Sequence, residues 1–497
     1  MKKFRVLLVY PNKMMAMMLP LSMSVLSAVL KENGFEVELF DTTYYHLEEK
    51  SMDEKLVDVL QVKKFSYKEA NVSLIEDNVV ESLRKKIDDY KPDLIGISVV
   101  EETFDLACSL AAATKGKVPV IMGGVYSYFA ADKMIACPDV TYVCIGEGEG
   151  ALVDLCNALN EGRSTTDIKN LWIKTPDGKI IRNKLRPLVD LNALPYIDLD
   201  IFDPRRLYRP MNGVLKKMIH VEVHRGCPYS CTFCCAPAIK KYYKENGIEG
   251  YWRKKTSERF INELVYLKEK YGADYLSIGA ETFLAVTDEE FEKFAKTYDE
   301  KVGLPFWLQT RPETISDRKM YLLKEIGCCD ISYGIEHGNE EFRKNVLHRY
   351  GTNAKILEAI GITEKYDIAY TVNNIIGFPG EDRKLIFDTI DINRQFKKAK
   401  NYNCAIFAPY HGTPLREMCI EKGYLDKDAP VIDMLDGADY HYALISKEEL
   451  KGLQRCFSLY IRSPKEQYEL IRKAEKFDDE GNAIFEKLAE EYTKRFL

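Results

Sequence analysis

The chain has 497 residues, 46% apolar and 30% charged; it is too long for one core and too apolar for a disordered chain, so two or three globular domains are expected. A formal charge of -6 excludes a strongly basic protein, and no nucleic-acid partner is expected. The opening apolar run is cut short by Pro11 and Asn12, too soon for a signal peptide or a membrane span, so a cytoplasmic protein with no transmembrane segment is expected.

That run, residues 4–9, reads as a buried first strand. Further β-branched runs at 35–40, 94–99, 118–122 and 141–145 alternate with helical segments. Five parallel strands with helical crossovers make a doubly wound, Rossmann-like α/β domain, placed at 1–190, whose ligand crevice lies at the carboxyl ends of the strands. Pro176-Asp177-Gly178 sits between two strand-like runs, the mark of a hairpin closing this domain. A linker rich in Pro and Asp is expected over 191–215.

A second alternation begins at 216. Strands are expected at 220–223, 274–278, 305–309, 330–334, 369–376 and 404–407, with helices between them. Such βα repeats predict a partial (β/α)6 barrel over 216–425, with its chemistry at the carboxyl ends of the strands. The remainder, 426–497, is charged and predicted to be a small helical region, with Ser446 and Glu449 in capping-box spacing.

Thirteen cysteines with no export signal point to a reducing compartment. Cys108, Cys137, Cys144 and Cys156 are scattered and read as small core residues, whereas Cys227, Cys231, Cys234 and Cys235 crowd one loop after the first barrel strand. Three thiolates spaced Cys-x3-Cys-x2-Cys can wrap an inorganic cluster, and three ligands for four irons leave one iron open. A structural zinc site would want a fourth ligand, and no second Cys or His pair has convincing spacing.

The loop His224-Arg225-Gly226-Cys227-Pro228-Tyr229-Ser230-Cys231-Thr232-Phe233-Cys234 resembles the signature of the radical SAM superfamily, Cys-x3-Cys-x-aromatic-Cys, with Phe233 in the aromatic place. The resemblance implies a 4Fe–4S cluster on Cys227, Cys231 and Cys234, with S-adenosylmethionine (SAM) bound at the open iron and cleaved to a 5′-deoxyadenosyl radical. The cofactor then carries the hard chemistry and the protein supplies position. Cys235 falls outside the pattern and reads as a small buried or loop residue.

Other strand ends resemble the same family. Ser277-Ile278-Gly279-Ala280-Glu281-Thr282 ends the second strand, where Glu281 matches the polar residue that meets the SAM amino group. Arg311, in Gln309-Thr310-Arg311, is expected at the cofactor after the third strand. Gly334-Ile335-Glu336-His337-Gly338 resembles the family's Gly-Ile-Glu-Ser-Gly segment, which implies a SAM contact for Glu336 and leaves His337 in the place of the usual Ser. Ile376-Gly377-Phe378-Pro379-Gly380-Glu381 resembles the turn that packs near the adenine, where Gly377 lets backbone come close. His411 lies in the turn after the last strand and reads as a solvated or hydrogen-bonded histidine, with proton transfer near substrate as the alternative.

In the first domain, the strand tips carry Ser98, Gly123-Gly124 and the turn Gly146-Glu147-Gly148-Glu149-Gly150. This resembles the cobalamin-binding domain that precedes the barrel in one radical SAM branch. By that resemblance Ser98, Gly123 and Gly124 receive the nucleotide tail, while Gly146, Glu147 and Gly148 border the corrin. Asp41 to His46 has the wrong spacing for the Asp-x-His-x-x-Gly motif, which argues against His46 as a cobalt ligand. Met14, Met15, Met17 and Met18 read as an apolar lid or helix start, or as packing for the lower corrin face. A dinucleotide-binding Rossmann domain would need a glycine-rich turn after the first strand, which Tyr10-Pro11-Asn12-Lys13 lacks.

The sequence therefore predicts a cobalamin-dependent radical SAM enzyme that methylates an unactivated carbon. Its cofactors would be the cluster, SAM and cobalamin. Its partners would be a small-molecule, lipid or peptide substrate and an electron donor such as flavodoxin or ferredoxin. A cyclase or rearrangement enzyme with the same cofactors and a non-catalytic cobalamin sensor are the alternatives. A methylthiotransferase acting on transfer RNA would carry extra cluster cysteines in the first domain and a basic tail, neither of which the sequence has.

Overall fold

Arg5–Tyr10 forms a strand in which Val6, Leu7, Leu8 and Val9 are at most 1% exposed, the near-continuous apolar run of a strand covered on both faces. It belongs to the first of two units in the computed structural model, which describes residues 3–67, 71–211, 213–438 and 444–497. This unit comprises Met1–Met52, Ser66–Arg209 and Ala238–Arg253. Its strands, in sheet order, are Glu36–Asp41, Arg5–Tyr10, Leu94–Ser98, Val120–Gly123, Val140–Cys144, Leu171–Lys174 and Ile180–Arg182. The first five are parallel, and the last two add antiparallel as the expected hairpin. The order reverses beside Arg5–Tyr10, which puts the topological switch point between it and Leu94–Ser98. Ile95, Ile97, Val120 and Met122 pack against Ala107, Leu110 and Met134 of the crossover helices.

The second unit comprises Asp53–Phe65, Pro210–Pro237 and Lys254–Leu497. Val214–Glu222, Tyr275–Gly279, Phe306–Thr310, Cys328–Glu336, Ala369–Ile376 and Asn401–Ile406 lie side by side in chain order, all parallel. The sheet stays open, with Asn401–Ile406 at one edge and the short strand Tyr208–Met211 at the other. Helices begin just after the strands because Thr256, Thr287, Ser316, Thr352, Asp382 and Thr413 each cap one, accepting a backbone N–H of its first turn. The first barrel strand starts six residues earlier than expected, at Val214; its half-buried Lys216 and Lys217 hide the apolar pattern.

The expected fold class is observed: a doubly wound domain, a partial barrel and C-terminal helices. Three details differ. Asp53–Phe65, placed by sequence in the first domain, belongs to the barrel unit, where the Gln61 amide donates to the Cys404 carbonyl over 2.8 Å and Lys55 pairs with Asp433 at 3.1 Å. Ala238–Arg253, placed in the barrel, belongs to the first unit. The C-terminal helix Lys447–Arg462 is no loose appendage: Gln454 donates to Cys404 O and Ser458 to Tyr402 O on the edge strand. Its capping by Ser446, which accepts the Glu449 N–H, is as expected. Cys108 and Cys137 were expected as separate core thiols but are joined by a disulfide, their Cα atoms 5.9 Å apart; the fold brings together residues whose sequence spacing gives no sign of it.

Candidate functional site

Val214–Glu222 delivers the cysteine loop at its carboxyl end, and the residues between the cysteines fasten that loop. Thr232 donates from Oγ1 to Val346 O over 2.6 Å and from its N–H to Leu347 O. Phe233 packs on Phe378 with ring centroids 5.8 Å apart, beside Phe342 and Phe407. Phe233 thus anchors the loop in an apolar cluster, and Thr232, which the motif leaves unspecified, works with it. His224 is buried, and that burial, followed by the Lys254 charge, pulls its pKa down to about 4.

Each of the three spaced cysteines faces an N–H donor. Cys227 receives the Tyr229 backbone N–H, Cys231 the Arg311 Nη1 at 3.5 Å, and Cys234 the Ala236 N–H at 3.5 Å. Burial pushes the Cys227 and Cys231 thiols up, and at Cys231 the Arg349 and Arg311 charges oppose it. Cys235 begins the helix Cys235–Glu245 with its thiol hydrogen-bonded to Cys234, so it adjoins the triad.

The other barrel residues gather at the same strand ends. Burial, with the neighbouring Glu222 carboxylate, raises the pKa of Glu281. Arg311 is 7% exposed, with its guanidinium 3.7 Å from the centre of the Tyr229 ring and paired to Glu313. Glu336 follows an irregularity in the pairing of its strand and holds φ +68°, a strained region for a residue with a side chain. Burial raises its pKa against the pull of Arg349, which lies 3.2 Å from Oε1. Gly377 has φ +81°.

His337 is turned into the protein. It is fully buried, with Nε2 2.9 Å from Glu381 Oε1, and its Nδ1 accepts the Asn339 N–H at 3.0 Å. An Nδ1 that accepts places the ring proton on Nε2, which lies close to Glu381 Oε1 without a hydrogen bond between them. The other Glu381 oxygen accepts the N–H groups of Gly377 and Phe378. A buried His–Glu pair therefore ties the end of the fourth strand to the turn after the fifth. Both residues were visible in the motifs; their pairing was not. His411 is half-buried in the turn before the helix Pro414–Glu421.

In the first unit, the strand tips behave unequally. Gly124 has φ +99°, and a Cβ there would lie 2.5 Å from Val99 O, while one on Gly123 would meet only Cys144 Cβ at 3.5 Å. Gly146 has φ +100°, and its Cβ would lie 3.1 Å from both Asn170 Nδ2 and Tyr243 Oη. Glu147 spends its carboxylate on Arg253 and the Val189 N–H, which shapes the turn from within, and Gly148 precedes the helix Glu149–Asn160. Ser98 is half-buried at the end of its strand.

The loop at the switch point is held rigidly. Asn12 donates from its backbone N–H to Thr42 Oγ1 and from its side-chain amide to Thr43 Oγ1 and Ala16 O, and buried Arg206 reaches Ala16 O, Met18 O and Asp41. Met14 and Met17 are core residues at 2% and 4% exposure, whereas Met15 and Met18 are half-buried. Lys13 and Glu102 pair at 3.1 Å across the switch point. His46 is exposed and paired with Glu76. None of this network is marked by a sequence motif.

Residues 221–392 match the radical SAM superfamily and residues 13–156 match the B12 binding domain. The chain belongs to the cobalamin-binding radical SAM enzymes. Its cofactors are a 4Fe–4S cluster, SAM and cobalamin. The enzyme is 28% identical over 362 residues to an uncharacterized methyltransferase of Pyrococcus horikoshii, covering 71% of this chain and 74% of that one. It is 21% identical over 390 residues to the anaerobic magnesium-protoporphyrin IX monomethyl ester cyclase of Rubrivivax gelatinosus, covering 74% of this chain and 64% of the cyclase. Among solved structures, OxsB, a cobalamin-dependent S-adenosylmethionine radical enzyme, has a TM-score of 0.68 at 16% identity over 99% of this chain and 71% of its own. TsrM from Kitasatospora setae, a radical S-adenosylmethionine methyltransferase, has a TM-score of 0.63 at 18% identity, covering 85% and 75%. At such identities the likeness is one of fold.

The enzyme's own residues suit these cofactors. Three thiols on one loop, each with an N–H donor at sulfur, are the type of donor a cluster takes, although among the described residues no three ligands are already gathered as a metal site. A Cβ on Gly123 would meet only ordinary contact with Cys144, and the loop at the switch point is held by Asn12 and Arg206. No helix among the described residues is long and apolar enough to cross a membrane.

Proposed function

We propose that the enzyme methylates an unactivated carbon of a small-molecule, lipid or peptide substrate. The reading rests on one observation: a Cys-x3-Cys-x2-Cys loop at the mouth of a partial barrel and a B12 binding domain occur in one chain. When bound, the cluster and SAM supply a hydrogen-abstracting deoxyadenosyl radical, and the cobalamin supplies a methyl group, so a chain that holds both has a use for each.

In this reading Cys227, Cys231 and Cys234 hold the cluster, positioned by Thr232 and Phe233. Glu281 receives the SAM ammonium, Glu336 and the Gly377 turn border the rest of SAM, and the His337–Glu381 pair keeps these two turns in register. Ser98, Gly123 and Gly124 receive the nucleotide tail, and the Gly146 to Gly148 turn, braced from inside by Glu147, borders the corrin. A flavodoxin or ferredoxin supplies the electron. The methyltransferases among the relatives support methyl transfer, and the cyclase favours the second reading, ring formation without net methyl transfer.

The test is turnover of a defined substrate with methyl-deuterated SAM. Methyl transfer yields a product carrying one labelled methyl, with both 5′-deoxyadenosine and S-adenosylhomocysteine. Deoxyadenosine with an unlabelled product and no substrate-dependent S-adenosylhomocysteine would establish the cyclase reading instead, and neither by-product would leave a cobalamin-binding sensor.

A further inference from the structure

Arg311 was expected at the cofactor, and its guanidinium lies against the cysteine loop. Nη1 is 3.5 Å from Cys231 Sγ. The plane of the group is stacked on Tyr229 at 3.7 Å, a residue of the same cysteine loop. Nε and Nη2 meet the two carboxylate oxygens of Glu313 at 3.3 and 3.2 Å. One face and one edge of the planar cation are thus occupied by Tyr229 and Glu313, and an Nη1 N–H points at sulfur. Such a fork is a property of arginine that lysine cannot reproduce.

We propose that Arg311 is a positioning residue for the cluster, which sets its reduction potential through the Cys231 thiolate, with Glu313 as its counterweight. The inference rests on the reading of Cys231 as a cluster ligand. Reduction adds one electron to the cluster and therefore one negative charge beside the guanidinium. A buried cation and an N–H···S hydrogen bond stabilise the reduced state more than the oxidised one, and a carboxylate does the reverse. Arg311 is 7% exposed, so solvent screens its charge weakly, whereas Glu313 is exposed and its opposing effect is the smaller. Arg311 therefore raises the potential and makes the cluster easier for a donor to reduce, while Glu313 holds the rise in check.

The test is a dithionite titration of the full-length, anaerobically reconstituted enzyme with mediator dyes, following the signal of the reduced cluster by electron paramagnetic resonance. R311Q is expected to shift the midpoint to lower potential and E313Q to higher potential, with iron content unchanged in both. R311K, which keeps the charge but not the fork, falls between wild type and R311Q, and it carries the test if R311Q loses iron. Opposite signs are the decisive result, because a merely structural role would move both variants the same way or neither. Unchanged potentials, or shifts of one sign, in iron-replete variants would overturn the inference while leaving the ligand assignment standing. A wild-type protein with no reducible four-iron cluster would overturn the assignment and the inference together.

Discussion

At Cys227, Cys231 and Cys234 the chemistry is a matter of single atoms. Changing all three to Ala is expected to abolish the brown colour and SAM cleavage, whereas C235A, which removes only the neighbour of Cys234, is expected to keep both; iron analysis and deoxyadenosine yield check this. The His337–Glu381 pair makes a different demand. E381A would remove the acceptor of the Gly377 and Phe378 N–H groups and the carboxylate beside His337 Nε2. Leaving a buried donor without its acceptor costs about 1–3 kcal/mol, and denaturant unfolding would show it, with H337Q milder because it leaves the Gly377 and Phe378 bonds in place. His224 gives a pH signature. Its pKa is depressed to about 4 in the fold against about 6.5 in an unfolded chain. The unfolded state therefore binds the extra proton between these values, and stability falls as the pH drops from 6.5 toward 4, by about 3 kcal/mol in total. H224N is expected to flatten that part of the stability profile. Cysteine spacing marked the loop proposed to hold the cluster, because ligand geometry imposes a pattern on neighbouring residues. Arg311, Thr232 and the partner of His337 were not legible in their roles, because their partners lie far along the chain and no local spacing encodes them.

The strands of both units were readable at the level of elements, since parallel strands covered on two faces must be short apolar runs. The hydroxyl and acidic caps that begin the barrel helices were not read from the sequence; only Ser446, at the start of the C-terminal helix, was. What local pattern could not give was which body a segment joins: Asp53–Phe65 has no mark that assigns it to the edge strand at Cys404. Turn glycines also needed the structure to be told apart. G124A would place a Cβ within 2.5 Å of Val99 O at a positive φ and is expected to destabilise the first unit itself. G123A meets only ordinary contact, so it is expected to fold normally and weaken hydroxocobalamin binding about tenfold, roughly 1.4 kcal/mol, as read by visible-spectrum titration. Normal affinity in a folded G123A protein would remove Gly123 from the proposed nucleotide-tail site.

For the molecule as a whole, a linear partition at residue 190 was the natural reading, and it misses that the units exchange segments. A fragment ending at residue 209 lacks Ala238–Arg253, and with it Tyr243, which lies against Gly146, and Arg253, which pairs with Glu147. Such a fragment is expected to bind cobalamin poorly or not at all, whereas full-length protein binds it, and the comparison can be made with the same spectral titration. The exchange also sets an order on biosynthesis. At about 5–20 residues per second, a ribosome that has finished the seventh strand of the first sheet must still deliver the cysteine loop and the helix behind it before Arg253 arrives to meet Glu147. The N-terminal unit therefore completes its assembly only after the cysteine loop has already left the exit tunnel, while the barrel unit that frames that loop still waits for Lys254–Leu497, so the loop emerges before either unit is whole and the first unit is whole before the second.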